Sequence, residues 1–357
     1  MLSKIFWTAT SIFILLLLSI FILIFFDLLN SNFNKIENAK AYKSKKIKKV
    51  TLNKNILKIM TWNIKFAAGR IDMFFDCHGD REIIKKNEVI NNLKLISNKI
   101  NNINPDILFL QEVDIESNRT GFVNEAQYIL DNTDLNYAYY APQWKSLYIP
   151  KHNIAKINTG NLILSKYPLK NAKRYSLPPI GTQNIIVQYF YLKRNFIVTD
   201  LEINNHKIIL INTHLSAYAK DETKTRQVNQ IEDFVNNLKQ NKVKFILAGD
   251  FNLLPPKSKK IKDFPDSICE GDFEADNFTK QLEWLSPLYN SFNSAVPLAD
   301  YQDNNDNFFT HTTDKKGFWN RKLDYIFSNN KLKNVKVLQD TMKLSDHAPM
   351  IVDYILE

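Results

Sequence analysis

Six short stretches of this chain carry residues that bind phosphate oxygens, metal ions or protons. They are Thr61-Trp-Asn63, Gln111-Glu112, Asn212-Thr-His214, Gly249-Asp-Phe-Asn252, Leu323-Asp324-Tyr and Ser345-Asp346-His347. The chemistry this set suits is metal-assisted hydrolysis of a phosphate ester. Glu112 and the Asn63 amide supply the oxygen donors that a hard cation such as Mg²⁺ prefers, without any cysteine. Such an ion neutralises charge on phosphoryl oxygens and favours departure of the leaving group. Asp250 can hold and deprotonate an attacking water while Asn252 orients it. His347 suits a charged donor or a proton carrier, with Asp324 fixing its tautomer and keeping it protonated. The pattern offers no Ser or Cys nucleophile, so direct attack by water is the simpler scheme.

These residues need strands that end at one place. Phe245 to Ala248 is an apolar run that delivers Asp250 and Asn252 just past Gly249, and alternation along an extended chain aims 250 and 252 the same way. Ile56 to Met60 reads as a strand leading to Asn63. Ile83, Ile90, Leu93, Ile96, Ile100 and Ile103 recur at helical spacing up to about Asn104, where Pro105 stops the helix. Asp106 to Leu110 is then a buried strand delivering Glu112, so strand, helix and strand form a βαβ-like unit beneath a helix-covered sheet. Asn161 to Ser165, Asn184 to Tyr191, Phe196 to Ile203 and Lys207 to Ile211 read as further strands. The last of these ends in His214. Val228, Ile231, Val235 and Leu238 mark a second amphipathic helix. After Asn252, Pro255-Pro256 and a lysine cluster from Lys257 to Lys262 open a long surface loop. Lys322 to Phe327 and Met350 to Tyr354 are the closing strands. Residues 51–357 contain no internal repeat and no linker that would divide them.

With 357 residues and 45% hydrophobic content, the chain suits one large α/β domain plus an appendage. Cys77 and Cys269 match no metal or redox spacing, which excludes a disulfide scaffold and a zinc site. Ile5 to Phe26 is uncharged over 22 residues, enough as a helix to cross a hydrocarbon core of roughly 30 Å. Residues 1–28 are read as an uncleaved transmembrane anchor, 29–55 as a basic tether and 56–357 as the catalytic domain. Between residues 27 and 50, seven lysines against Asp27 and Glu37 give a net +5, while the N-terminal flank has only Lys4. This lysine bias favours a cytoplasmic catalytic domain, with export behind a signal anchor as the other reading. Of the chain's +10, the tether and Lys4 account for six charges, leaving +4 for residues 51–357. A tether beside a bilayer can hold acidic lipid headgroups, so the high net charge says little for nucleic acid binding.

Taken in order, Thr-Trp-Asn63, Pro105-Asp-Ile-Leu-Phe-Leu-Gln-Glu112, Asn212-Thr-His-Leu, Gly249-Asp-Phe-Asn252, Leu323-Asp-Tyr-Ile and Ser345-Asp-His-Ala-Pro resemble the endonuclease/exonuclease/phosphatase (DNase I-like) superfamily. The resemblance spans about residues 56 to 356. It implies a four-layer α/β sandwich with two packed mixed β-sheets, here preceded by one N-terminal transmembrane helix. It also implies metal ligation by Asn63 and Glu112 with Asp346 contributing, and catalysis by His214, Asp250, Asn252, Asp324 and His347. Many AP endonucleases carry an acid two positions after the first-motif Asn and lack the Thr-His-Leu histidine. Lys65 and His214 depart from that pattern and point to the branch with two catalytic histidines.

The expected protein is a membrane-anchored, Mg²⁺-dependent phosphodiesterase, with Mn²⁺ as the other metal, acting first as a DNase-like endonuclease. A phospholipid or sphingomyelin phosphodiesterase, or an inositol-phosphate phosphatase, is the second reading. The partners are then a phosphate-ester substrate, nucleic acid or phospholipid headgroup, and a membrane reached through the helix and tether; no protein partner is evident. An inactive, membrane-tethered binding module is disfavoured because none of the expected positions is vacant.

Overall fold

The computed structural model describes residues 2–50, 54–76, 79–149, 155–219, 221–264, 277–313 and 319–356. Cys77 and Cys269 lie outside the described residues. The strands in chain order are β1 (Ile36–Asn38), β2 (Lys40–Lys43), β3 (Ile56–Asn63), β4 (Ile107–Asp114), β5 (Tyr137–Ile149), β6 (Ala155–Ser165) and β7 (Leu169–Ser176). They continue as β8 (Asn195–Ile203), β9 (His206–His214), β10 (Lys244–Asp250), β11 (Asn293–Ser294), β12 (Asp324–Ser328), β13 (Leu332–Val337) and β14 (Met350–Ile355). The helices are α1 (Leu2–Ser31), α2 (Lys86–Ile103), α3 (Glu125–Asn132), α4 (Ile185–Phe190), α5 (Thr223–Gln240), α6 (Ser286–Ser291) and α7 (Leu298–Asp303).

Two seven-stranded sheets pack face to face, in the orders β1-β7-β8-β9-β10-β12-β11 and β13-β14-β3-β4-β6-β5-β2. Each is mixed: β9 and β10 run parallel in one, β3 and β4 in the other. Three apolar clusters separate four layers. Val89, Leu93, Ile96 and Ile100 of α2 cover one outer face, over Met60, Trp62, Leu108 and Leu110. Between the sheets, Leu57, Ile59, Ile107, Phe109 and Ile163 meet Ile197, Leu210, Ile246, Ala248 and Ile326. On the other outer face, Val228, Ile231 and Val235 of α5 lie against Ile209, Ile211, Phe245, Leu247 and Phe327. The four-layer α/β sandwich is therefore the fold, and the apolar positions that set the two long helices face a sheet, except Ile83, which precedes α2. Helix α2 ends where expected, with Asn104 left-handed at φ 54 before Pro105.

Three expectations change. Residues 184–191 do not form a strand; Asn184 caps α4, its Oδ1 accepting from Val187 N–H at 2.9 Å. A run of apolar residues this short is compatible with either state, and the cap decides it. The basic segment 29–55 is not a free tether. Its Ile36–Asn38 pairs with β7 and its Lys40–Lys43 with β5, so it closes one edge of each sheet. Lys48 is tied down as well, through Asn136 Oδ1 and the Leu130 carbonyl. The charged composition hid these strands because their side chains are mostly exposed at the edge, where lysine is common. Finally, the N-terminal helix runs to Ser31, past the expected boundary of the anchor at residue 28. It is long and apolar enough to cross a membrane by length and composition, and its stretch Lys4–Ile22 has no buried residues.

Candidate active site

Strand alternation brings the expected residues together. In β10, Ile246 and Ala248 face the space between the sheets, so Asp250, two further on, points there too. The same parity carries Asn63 from Ile59, His214 from Leu210 and Asp324 from Ile326. Pairing then aligns them: Asp250 is opposite His214 on β9 and opposite Asp324 on β12, while Asn63 is opposite Gln111 on β4. Gly249 is required at this junction, because a Cβ there would collide with the Thr213 carbonyl of the adjacent strand. Beneath the row, Gln111 Nε2 donates to Asn212 Oδ1 at 2.7 Å, and Asn212 Nδ2 donates to the Leu110 and Leu162 carbonyls. This buried amide pair staples one sheet to the other and fixes their separation under the site.

Glu112 breaks the alternation. Simple parity puts it with Leu108 and Leu110 on the outer face, but its φ of 55 and a register shift between Leu110 and Val113 turn the strand. The bulge re-aims the carboxylate inward, a common use of such irregularities next to functional sites. Asn63 Nδ2 donates to Glu112 Oε1 at 3.1 Å and to Asp250 Oδ2 at 3.0 Å. Its amide oxygen accepts from Lys65 N–H. Asn63 is thus a donor joining two carboxylates, not the oxygen ligand expected of it, and would need its amide turned to serve a metal.

His347 Nδ1 lies 2.8 Å from Asp324 Oδ2, and its Nε2 lies 3.6 Å from Asp250 Oδ2. Burial lowers the imidazolium's pKa, but Asp324 and then Asp250 overcome this and hold it at about 10. Burial first, with Asp324 adding, pushes Asp250 up to about 7 against the pull of His347. The ligand atoms of Asp250, Asp324 and His347 lie within 4.8 Å of one another. Within that trio, Asp324 Oδ2 and His347 Nδ1 are already joined by their hydrogen bond. His214 Nε2 is 3.4 Å from Asp250 Oδ2. Burial, then Arg194 and His347, hold it well below the ordinary value, so it is neutral beside the charged His347. Asn252 departs from expectation. It follows the strand in a left-handed conformation at φ 50, donating its amide to the Leu215 carbonyl and its backbone N–H to Asp250 Oδ1. Alternation does not aim it with Asp250.

Asp346 faces a cation of the chain itself. Lys65 Nζ lies 3.3 Å from Asp346 Oδ2 and 2.7 Å from Asp76 Oδ2, nearly buried. Despite its burial, Asp346 is held far below the usual carboxylate range by Lys65 and His347. Lys65, Phe66 and Ala67 have φ of 45, 39 and 53, a left-handed run of non-glycine residues that swings the ammonium into the site. Glu112, by contrast, is raised by burial and then by Asp346. A partly buried carboxylate that another carboxylate opposes fits a hard divalent cation, and all the donors here are oxygen. Sequence reasoning missed Lys65 as part of the constellation, although its spacing from Asn63 was a signal. It also missed Arg194, which is buried, donates to Gln143 Oε1 at 2.7 Å and feels the charges of Glu112 and Asp250. Nothing in its local sequence marks it.

A family model described as Endonuclease/Exonuclease/phosphatase family matches residues 60–347. Among solved structures, an endonuclease/exonuclease/phosphatase from Beutenbergia cavernae is similar at 17% identity, over 85% of this chain and 72% of that one, with a TM-score of 0.56. The human Nocturnin catalytic domain with bound sulfate is similar at 18% identity, over 88% of this chain and 97% of that one, with a TM-score of 0.54. A family protein from Leptotrichia buccalis gives 19% identity, 84% and 99% coverage, and 0.52. Comparison with curated proteins finds no match. At these identities the solved structures speak for the fold alone.

Proposed function

The chain belongs to the endonuclease/exonuclease/phosphatase family of phosphoester hydrolases, and from that premise we propose that it is a metal-assisted phosphodiesterase held at a membrane by α1. The observation that carries this reading is the in-register row His214, Asp250 and Asp324, with His347 bonded to the last of them.

Asp250, ionised above about pH 7, takes a proton from the attacking water as the water oxygen bonds to phosphorus. The ester bond to the leaving alcohol breaks, and the imidazolium of His347 returns a proton to that oxygen. One proton is taken and one delivered, and solvent exchange resets both groups. Asp324 holds the His347 ring in place and keeps it charged. Neutral His214 offers one N–H to a phosphoryl oxygen, and the Asn63 amide offers another. Asn252 fixes the Asp250 carboxylate through its backbone N–H. Mg²⁺, or Mn²⁺, held by Glu112 with Asp346 and a turned Asn63 amide, would neutralise phosphoryl charge when bound.

A DNase-like endonuclease is the first substrate reading and a phospholipid or inositol-phosphate hydrolase the second. The lysines flanking α1 favour a cytoplasmic domain. Purified full-length protein is to be assayed with Mg²⁺ or EDTA on plasmid DNA, RNA, sphingomyelin and phosphoinositides. Metal-dependent turnover of at least one, lost in Asp250→Asn, is expected. Turnover that survives both EDTA and the substitution would overturn the mechanism.

A further inference from the structure

Ile56, Leu95 and Phe122 of the catalytic domain are exposed one at a time, whereas α4 and the end of β5 each expose several large apolar side chains. Ile185, Ile186 and Val187 open α4 with relative exposures of 83%, 69% and 43%, and Leu147 and Tyr148 near the end of β5 show 44% and 61%. The two groups are neighbours, because Phe190 of α4 packs against Ile149, Ile157 and Trp144. Asn184 caps the helix, so the isoleucines are held outward by local structure. Contiguous exposed apolar surface of this kind marks an interaction site.

The anchor identifies what covers it. Helix α1 ends at Ser31 and β1 begins at Ile36, so residues 32–35 alone join them. That connection is fixed: the Arg174 guanidinium lies 4.0 Å from the Phe33 ring centre, and Ser176 Oγ donates to the Asn34 carbonyl at 2.8 Å. Asn32 and Phe33 share one cleft, about 390 Å³, with Ile185, Gln188, Tyr189 and Arg194. Helix α1 also comes alongside β5, the strand that carries Leu147 and Tyr148. A membrane holding α1 is therefore brought to α4 with almost no slack.

We infer that α4 and the end of β5 form a rim that seats in the lipid surface beside the anchor and presents the active site to phosphodiester lipids of that membrane. Short apolar helices with an aromatic residue at their edge enter the interfacial layer in this manner. Arg194 links rim to site. It lines the cleft with Ile185, donates to Gln143, and directly precedes Asn195, whose carbonyl accepts from Thr213 Oγ1 at 3.3 Å, next to His214. A guanidinium there suits the lipid's phosphate, whose hydrolysis is the step given above: water oxygen bonds to phosphorus, and the ester bond to one alcohol breaks. The substrate assignment rests on the phosphodiesterase reading and takes its second, lipid substrate over the DNase-like one; the seating rests on neither.

The test uses the full chain in phosphatidylcholine vesicles. In a background with Cys77 and Cys269 changed to serine, Ile186→Cys and the control Asn205→Cys, at the far end of β8, are labelled with a fluorophore. Lipids brominated on their acyl chains should quench the label at 186 and leave that at 205 bright. Ile185→Asp with Ile186→Asp should lower turnover of vesicle phospholipid roughly tenfold or more, with turnover of soluble bis(p-nitrophenyl) phosphate unchanged. Absence of quenching at 186 would overturn the seating. Cleavage of plasmid DNA with vesicle lipids left intact, or equal loss on both substrates in the double variant, would overturn the lipid assignment. Quenching at 186 without turnover of any diester would confirm the seating and sink the hydrolase reading instead.

Discussion

Asp324→Asn removes one charge from the site while keeping shape and hydrogen-bonding capacity, and its consequence is calculable. Asp324 Oδ2 sits 2.8 Å from His347 Nδ1 and is the foremost influence raising that histidine from 6.5 to about 10 against its burial. The difference amounts to about 5 kcal/mol in favour of the imidazolium, at about 1.4 kcal/mol per tenfold change. With the carboxylate gone, burial is opposed mainly by Asp250, and the His347 pKa falls from about 10 towards its ordinary value. At pH 8.5 much of the imidazolium is then lost, so turnover that needs it falls by roughly tenfold or more, with a smaller loss at lower pH. The assay is kcat/KM for bis(p-nitrophenyl) phosphate with saturating Mg²⁺ across pH 5.5 to 10.5. The unaltered enzyme should rise through about 7 as Asp250 ionises and fall near 10 as His347 loses its proton. In the variant the falling limb should move to lower pH. Stability supplies an independent sign. A histidine with its pKa raised by folding stabilises fully below 6.5, and this contribution disappears as pH rises through about 10. The Tm difference between the two proteins should accordingly be largest in acid and shrink towards pH 10. A uniform fall in rate with the basic limb still near 10 would refute the reasoning and leave Asp324 a packing residue.

Asp250→Asn should reduce kcat about 100-fold or more, with Tm preserved; residual activity above about a tenth would contradict its role as base. His214→Ala should lower kcat about 100-fold by removing one donor to the phosphate. A large fall in Tm with near-normal turnover of the folded fraction would assign His214 to structure instead. Glu112→Gln should weaken Mg²⁺ binding by calorimetry at least tenfold while leaving the fold unchanged, and unaltered affinity would remove Glu112 from the metal site. Removing residues 1–31 should yield a soluble, folded enzyme, whereas removing 1–50 also deletes β1 and β2 and should lower Tm by several degrees. Equal Tm for the two fragments would show that these edge strands contribute nothing.

The central strands were legible because both chemical and apolar patterns fell on them. Ile246, Ala248 and Asp250 share a face, and so do Leu210 and His214; the run that builds the core also aims the carboxylate. Helices α2 and α5 were legible from Leu93 and Ile231 and their helical repeats. The edges were not. Strand β1 is only three residues long, β2 begins and ends in lysine, both are mostly exposed, and α4 has no buried face, so a short apolar run there carries no period. Within the site, conformation rather than residue type decided what was missed. Glu112 reaches the centre through a bulge, and Lys65 through a left-handed turn of non-glycine residues. Neither irregularity is written in composition. The neutrality of His214 comes first from burial and then from Arg194, twenty residues away and just before β8, an environment that only the folded chain creates.

One measurement bears most directly on water attack assisted by Asp250. A single turnover of bis(p-nitrophenyl) phosphate with Mg²⁺ in ¹⁸O-labelled water, followed by mass spectrometry of both products, locates the bond that forms. The account predicts one ¹⁸O atom in the phosphate monoester, none in the released alcohol, and loss of the labelled product in Asp250→Asn. Label in the alcohol, or a labelled monoester formed as fast by Asp250→Asn as by the unaltered enzyme, would contradict it.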